Sequence, residues 1–156
     1  MPTTQTVPID GYENLKDYLV DFNDQRFDLD LMAFDAHVRR WSGRFFRPVD
    51  DPSRTTRERT GLLRARFYFP VIESTVTLHD VTACRVRDRS QIVNYTFEKC
   101  DRTDFGCTLY FIEALDIDIH VEGSIRGDFR ERELDQRGYV KTWGPIESGM
   151  HLERSD

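Results

Sequence analysis

From Cys107 to Glu122 the chain alternates with a period of two. The odd positions Cys107, Leu109, Phe111, Leu115, Ile117, Ile119 and Val121 are apolar, with Glu113 the one exception, and the even positions end in Asp116, Asp118, His120 and Glu122. Strict alternation describes a β-strand with one buried and one wet face. Sixteen residues in one straight strand would run roughly 53 Å, whereas a compact domain of this length is only about 40 Å across. The strand must therefore bend or break where the pattern falters, at Glu113-Ala114. Two segments are expected, 107–112 and 115–122, joined by a tight turn or a bulge. No Gly, Pro or Asn stands at the joint, which leaves a strong bend and a hairpin both open.

The remaining segments supply partners for this strand pair. Leu63, Ala65, Phe67 and Phe69 alternate with arginines up to Pro70; 74–86 and 92–100 are strand-like; 101–106 reads as a hairpin loop. Phe27 to Trp41 alternates too, but its apolar parity switches at Leu31-Met32, which predicts a β-bulge or a break, with a short amphipathic helix as the competing reading. Asp10 followed by Glu13 resembles a capping box. Leu15, Tyr18, Leu19 and Phe22 then fall at helical spacing, placing one helix from Gly11 to Phe22. Ser42 to Gly61 holds Gly43, Pro48 and Pro52 and reads as a long exposed loop. Phe129 to Arg137 reads as a solvated helical turn, and 138–143 as a short last strand. Residues 1–8 and 144–156 are expected to be loose.

These features predict a single mainly β domain over 1–156. Its antiparallel sheet of about six or seven strands forms a sandwich or a partly open barrel, with one N-terminal helix. Only 38% of residues are hydrophobic, but eleven Phe, six Tyr and two Trp supply large buried areas, so a sufficient core is available. Phe67, Phe69, Phe97, Leu109, Phe111, Ile117 and Ile119 are the expected core. No apolar run reaches the ~18 residues of a membrane helix, and the first residues lack a signal-peptide pattern, so a soluble, cytoplasmic protein is expected. Cys84, Cys100 and Cys107 form no C-x-x-C pair. Cys100 and Cys107 flank a six-residue loop and could pair across a hairpin in an oxidising compartment; reduced thiols are the expected state.

Charge singles out two surfaces. The net charge is −6, yet residues 39–66 carry nine arginines against Asp50, Asp51 and Glu58 and so sum to +6, leaving −12 on the rest. In this Arg-rich stretch Trp41, Phe45 and Phe46 interleave with Arg40, Arg44 and Arg47, an arrangement suited to stacking bases and pairing phosphates. The overall acidity opposes nucleic acid, and the plainer reading has the rings cap the core. The second surface is the strip Asp116, Asp118, His120 and Glu122. Oxygen and imidazole ligands 6–7 Å apart along a strand could form half of a zinc or manganese site, but only if another strand brings Asp28, Asp30, His37 or His79 to them. The plainer reading is a wet face whose acids pair with arginines on neighbouring strands, Arg64 and Arg66 above all. No metal and no cofactor is expected. His79-Asp80 and His37 near Asp35 suggest a general base, but no nucleophile motif accompanies them.

The functional expectation is a non-enzymatic interaction module, an inhibitor or immunity-type protein among the options. A protein partner or self-association would engage Arg40, Trp41, Arg44 and Arg47 on one surface and Asp116, Asp118, His120 and Glu122 on the other. The alternative is a β-barrel with an aromatic-lined cavity for a small ligand. A closed, filled core favours the first; a deep pocket with convergent polar groups favours the second.

Overall fold

The protein is described from a computed structural model. It covers residues 5–23, 25–49, 51–54, 56–59, 65–68, 70–92, 94–134, 139–143 and 151–154, with backbone only at Gln5, Pro52, 57–59, 65–68, 139–143 and 151–154. Strands and a helix follow one another as β1 (Gln5–Asp10), α1 (Tyr12–Val20), β2 (Arg26–Asp28), β3 (Ala33–Asp35), β4 (Arg40–Pro48), β5 (Thr56–Arg59), β6 (Ala65–Tyr68), β7 (Val71–Leu78), β8 (Val81–Asp88), β9 (Asn94–Thr103), β10 (Gly106–Phe111), β11 (Leu115–Val121), β12 (Arg126–Leu134), β13 (Tyr139–Trp143) and β14 (His151–Arg154). The class is mainly β with one helix near the N-terminus, as expected, but the strands are shorter and more numerous.

Two compact units divide the chain: Gln5–Phe45 with Ser74–Glu131, and Phe46–Glu73 with Arg132–Asp156 and the first four residues. The smaller unit contains the four-stranded sheet β14-β13-β6-β5. The larger contains most of an antiparallel open sheet ordered β1-β12-β7-β4-β2-β9-β10-β11-β8, with β3 paired to β4. In that order β7 and β8 are far apart, yet only His79 and Asp80 connect them. So short a link spans at most about 10 Å, so the sheet must fold over until its β8 end returns to β7. The Val81 N–H bond to the Arg39 carbonyl, at 2.9 Å, fastens the closure, while His79 N–H to the Arg126 carbonyl at 2.8 Å and Glu122 N–H to the Asp80 carbonyl at 2.9 Å extend the β7–β12 and β11–β8 ladders.

The fold encloses an aromatic core. Phe27 lies between Phe45 and Phe111, with centroids 5.2 and 4.8 Å away, and Phe97 packs edge-on to Phe45 at 5.4 Å. Helix α1 adds Leu15 and Leu19, and just beyond it Phe22 meets Phe45 and Phe129. Phe97, Leu109, Phe111, Ile117 and Ile119 are buried as the alternation predicts; the side chains of Phe67 and Phe69 lie outside the described residues.

Several local expectations are corrected. The anticipated capping box does not form: Gly11 is the N-cap, with φ 87°, and no side chain caps the helix. Asn14 Oδ1 instead accepts the Asp10 N–H at 2.8 Å, while the Gly11 N–H goes to the Ile125 carbonyl at 2.6 Å. Within 27–41 the parity switch marks a break, a short 3-10 turn at Leu29–Leu31. The supposed loop from Ser42 begins instead as β4, with Phe45 and Phe46 buried. Gly43 does not end that strand. A Cβ there would lie 2.5 Å from the Trp41 ring and 2.9 Å from that of Phe27, so glycine makes room for the core. The segment after Ile125 is strand β12, not a helical turn, since Phe129 is drawn into the core against Tyr18 and Phe22. Of the ends expected to be loose, 5–8 pair with β12 as part of β1, and His151–Arg154 pair with β13.

The joint in the central stretch is a hairpin. β10 and β11 pair from Gly106↔His120 to Phe111↔Leu115, and Ile112-Glu113-Ala114 forms the turn. Ala114 supplies its left-handed residue, φ 59°. That conformation costs a Cβ-bearing residue about 1–2 kcal/mol, partly offset by the greater unfolded-state entropy of glycine. Ala114→Gly is therefore expected to stabilise the protein by about 0.5–1 kcal/mol, measured as a higher urea midpoint at unchanged m. The odd residue in the pattern, Glu113, is the fastener of this turn. Its carboxylate accepts the Thr96 N–H at 2.8–2.9 Å and the Thr96 hydroxyl at 2.5 Å, with Arg26 at 3.4 Å.

Candidate functional site: the charged outer face of the β8–β11 sheet

Three ladders set this face. Lys99, Tyr110, Asp116 and Arg87 stand in one row across β9, β10, β11 and β8; Asp101, Thr108, Asp118 and Arg85 in the next; Thr103, Gly106, His120 and Ala83 in the third. The acidic strip therefore lies on the outer surface, opposite the buried Ile117 and Ile119. Its partner is Arg87, whose Nε is 3.7 Å from Asp116 and whose Nη2 is 3.4 Å from Asp118. The buried Thr108 hydroxyl donates to Asp118 at 2.5 Å. Glu122 pairs with Arg39 at 2.5 Å, and His120 packs its ring against Phe105 at 5.4 Å. On the other flank Lys99 bridges to Asp101 at 3.1 Å and lies over the Tyr110 ring at 5.0 Å.

In the wet-face reading of these four residues the described counter-charges are Arg87 and Arg39. β6, which carries Arg66, belongs to the other sheet, while β11 lies between β10 and β8; Arg64 falls outside the described residues. Arg87 was the missed residue. Its signal was the alternation Arg85, Arg87, Arg89 in a strand-like stretch, which gave a facing charge pattern but not the register. Among the described residues no group of three or more His, Cys, Asp or Glu is placed to hold a metal. His79 pairs with Asp128 at 3.1 Å, and the Asp35 carboxylate accepts the backbone N–H of His37, so neither histidine joins the strip.

The residues of the Arg-rich surface divide between the two units. Arg40 and Arg44 belong to the larger unit, exposed and half-buried, while Arg47 is exposed in the smaller one. Trp41 is wholly buried, which corrects its assignment to a binding surface: its ring faces the core because β4 alternates inward at 41, 43 and 45. Its Nε1 has no hydrogen-bond partner of ordinary geometry among the described residues; the Cys84 thiol on β8 is the soft group that feels it.

The three thiols are free, Cys84 half-buried and Cys100 and Cys107 buried. Burial pushes the Cys84 thiol up to about 11. Cys100 and Cys107 are free and buried, offset diagonally in the β9–β10 ladder, with Leu109 opposite Cys100 and Arg102 opposite Cys107. The hydrogen bond to Cys107, then burial, raises the Cys100 thiol far above its ordinary value. Native protein at pH 8 is therefore expected to react with a disulfide reagent slowly at Cys84 and not at Cys100 or Cys107 until it unfolds. Fast stoichiometric labelling of either buried thiol would contradict this packing.

Asp118 offers a measurable check on the face. Asparagine keeps an acceptor for Thr108 but loses the charge facing Arg87. Asp118→Asn should cost about 1 kcal/mol and shrink in high salt, whereas Asp118→Ala should cost about 1–3 kcal/mol because the buried hydroxyl is left unpaired. Urea unfolding at low and high salt reads both.

No protein-family model matches the sequence, and neither the curated proteins nor the solved structures give a significant match.

Proposed function

We propose that this chain is a non-enzymatic β module whose role is to bind another protein through its surface. The observation that supports this most is one tightly closed apolar space in the core of the larger unit. The space bounded by Leu15, Leu19, Trp41, Phe45, Val76, Leu78, Leu109 and Ile119 is apolar and has no room for a water-sized sphere. A small-ligand barrel would need a cavity of about 300 Å³ or more with a few convergent polar groups. The outer face supports the same reading. Its carboxylates are held by Arg87, Arg39 and Thr108 in a fixed array, a surface for recognition more than for proton transfer.

Affinity purification of the tagged protein from its source cells, with native mass spectrometry of the product, tests the reading. The expected result is one protein recovered at constant stoichiometry and released as salt rises. A bound small molecule of defined mass, without a protein partner, would favour the barrel alternative instead.

A further inference from the structure

The sheet of the larger unit ends in two very different edges. β1 is blunted: Pro8 has no N–H to offer, and its carbonyl accepts the Tyr18 hydroxyl of α1 at 3.3 Å. β8 is eight residues long, holds neither proline nor glycine, and has no strand beyond it among the described residues. The Arg89 N–H goes to the Ala114 carbonyl on the β11 side. Groups alternate along an antiparallel strand, so Arg87 and Arg85 also turn their backbone toward β11. Cys84, Val86 and Asp88 then turn their N–H and C=O groups to the open edge.

The side chains define what would fit there. On the outer face β8 presents Arg85 and Arg87, followed by Arg89, all exposed. Arg87 already bridges Asp116 and Asp118, while Arg85 and Arg89 have no ion pair among the described residues. On the inner face Val86 remains 38% exposed although its ladder partner Ile117 is fully buried. One side of β8 is thus satisfied by β11, a strand reading Leu-Asp-Ile-Asp-Ile, with acids outside and aliphatics inside. The open side presents the same two faces.

We infer that β8 is a strand-addition site for an extended protein segment of alternating acidic and aliphatic residues. Its backbone would continue the ladder at Cys84 and Val86, its acids would flank Arg85 and Arg87, and its aliphatics would cover Val86. A second copy of this chain is a poor occupant, because antiparallel self-pairing of β8 brings two sets of arginines together. This inference rests on the protein-binding reading above and names the partner's chemistry.

The test uses the full chain and a capped peptide, Thr-Val-Asp-Val-Asp-Val-Thr, with a control carrying Lys for Asp. The expected result is binding of the Asp peptide alone, with slowed amide exchange at Cys84 and Val86. Arg85→Glu should weaken it about tenfold or more, with the far-UV circular dichroism of the folded parent retained. Val86→Pro, which removes an edge donor without touching the β11 ladder, should abolish the protection. Equal binding of the Lys peptide, shifts confined to other strands, or no protection at Cys84 and Val86 overturns the inference. So does a peptide-free dimer in sedimentation with those two amides already protected, which would give the edge to a second copy. A natural partner that binds Arg85→Glu and Val86→Pro as well as the parent sinks the β8 site and leaves the protein-binding reading standing. Absence of any partner sinks that reading itself.

Discussion

Trp41→Ala is expected to destabilise the protein by about 3–5 kcal/mol. The ring is fully buried on β4, lies over Gly43 so closely that a Cβ there would touch it at 2.5 Å, and borders the same apolar space as Leu15, Val76 and Ile119. Removing it leaves a large void that strands of a folded sheet cannot collapse to fill. Trp41→Phe should cost only about 1–2 kcal/mol, since it keeps most of the apolar volume and deletes an indole N–H that lacks a hydrogen bond. Chemical denaturation followed by circular dichroism measures both. Were the ring a surface platform for stacking, both substitutions would fall within about 0.5 kcal/mol of the parent, and the burial described above would be wrong.

Ile117→Ala is the second large effect, expected at about 2–5 kcal/mol. Ile117 is fully buried at the middle of β11, between Leu109 on β10 and Val86 on β8. Its neighbour Asp116 points the other way and meets Arg87 at 3.7 Å, so Asp116→Ala should cost about 0–1 kcal/mol. The contrast between adjacent residues tests the strand face directly. Similar losses at both positions would mean that β11 is not one-sided.

These two residues also show how unevenly the fold can be read from the chain. Ile117 sits in an unbroken alternation, and its burial follows from period two alone. Trp41 sits where Gly43, Pro48 and a run of arginines look like loop chemistry. The glycine is in fact there because Trp41 and Phe27 occupy the place of its side chain, a cause invisible without the packed core. Glu113 carries the same lesson. It interrupts the pattern because it serves the turn, holding Thr96 from a distance of seventeen residues.

The sequence by itself determined the class, the single N-terminal helix, the inward set Leu109, Phe111, Ile117 and Ile119, and the outward set Asp116, Asp118 and His120. Each depends on local periodicity, which fixes the side of a strand on which a side chain stands. Only the tertiary structure decided what stands next to it. Arg87 is the counter-charge, Trp41 is core, and among the described residues β8 ends the sheet, because β7 and β8, two residues apart in the chain, lie at distant places in the sheet order. Alternation along one strand contains no term for the register or identity of its neighbour. That choice depends on how the whole set of aromatic side chains can be buried at once.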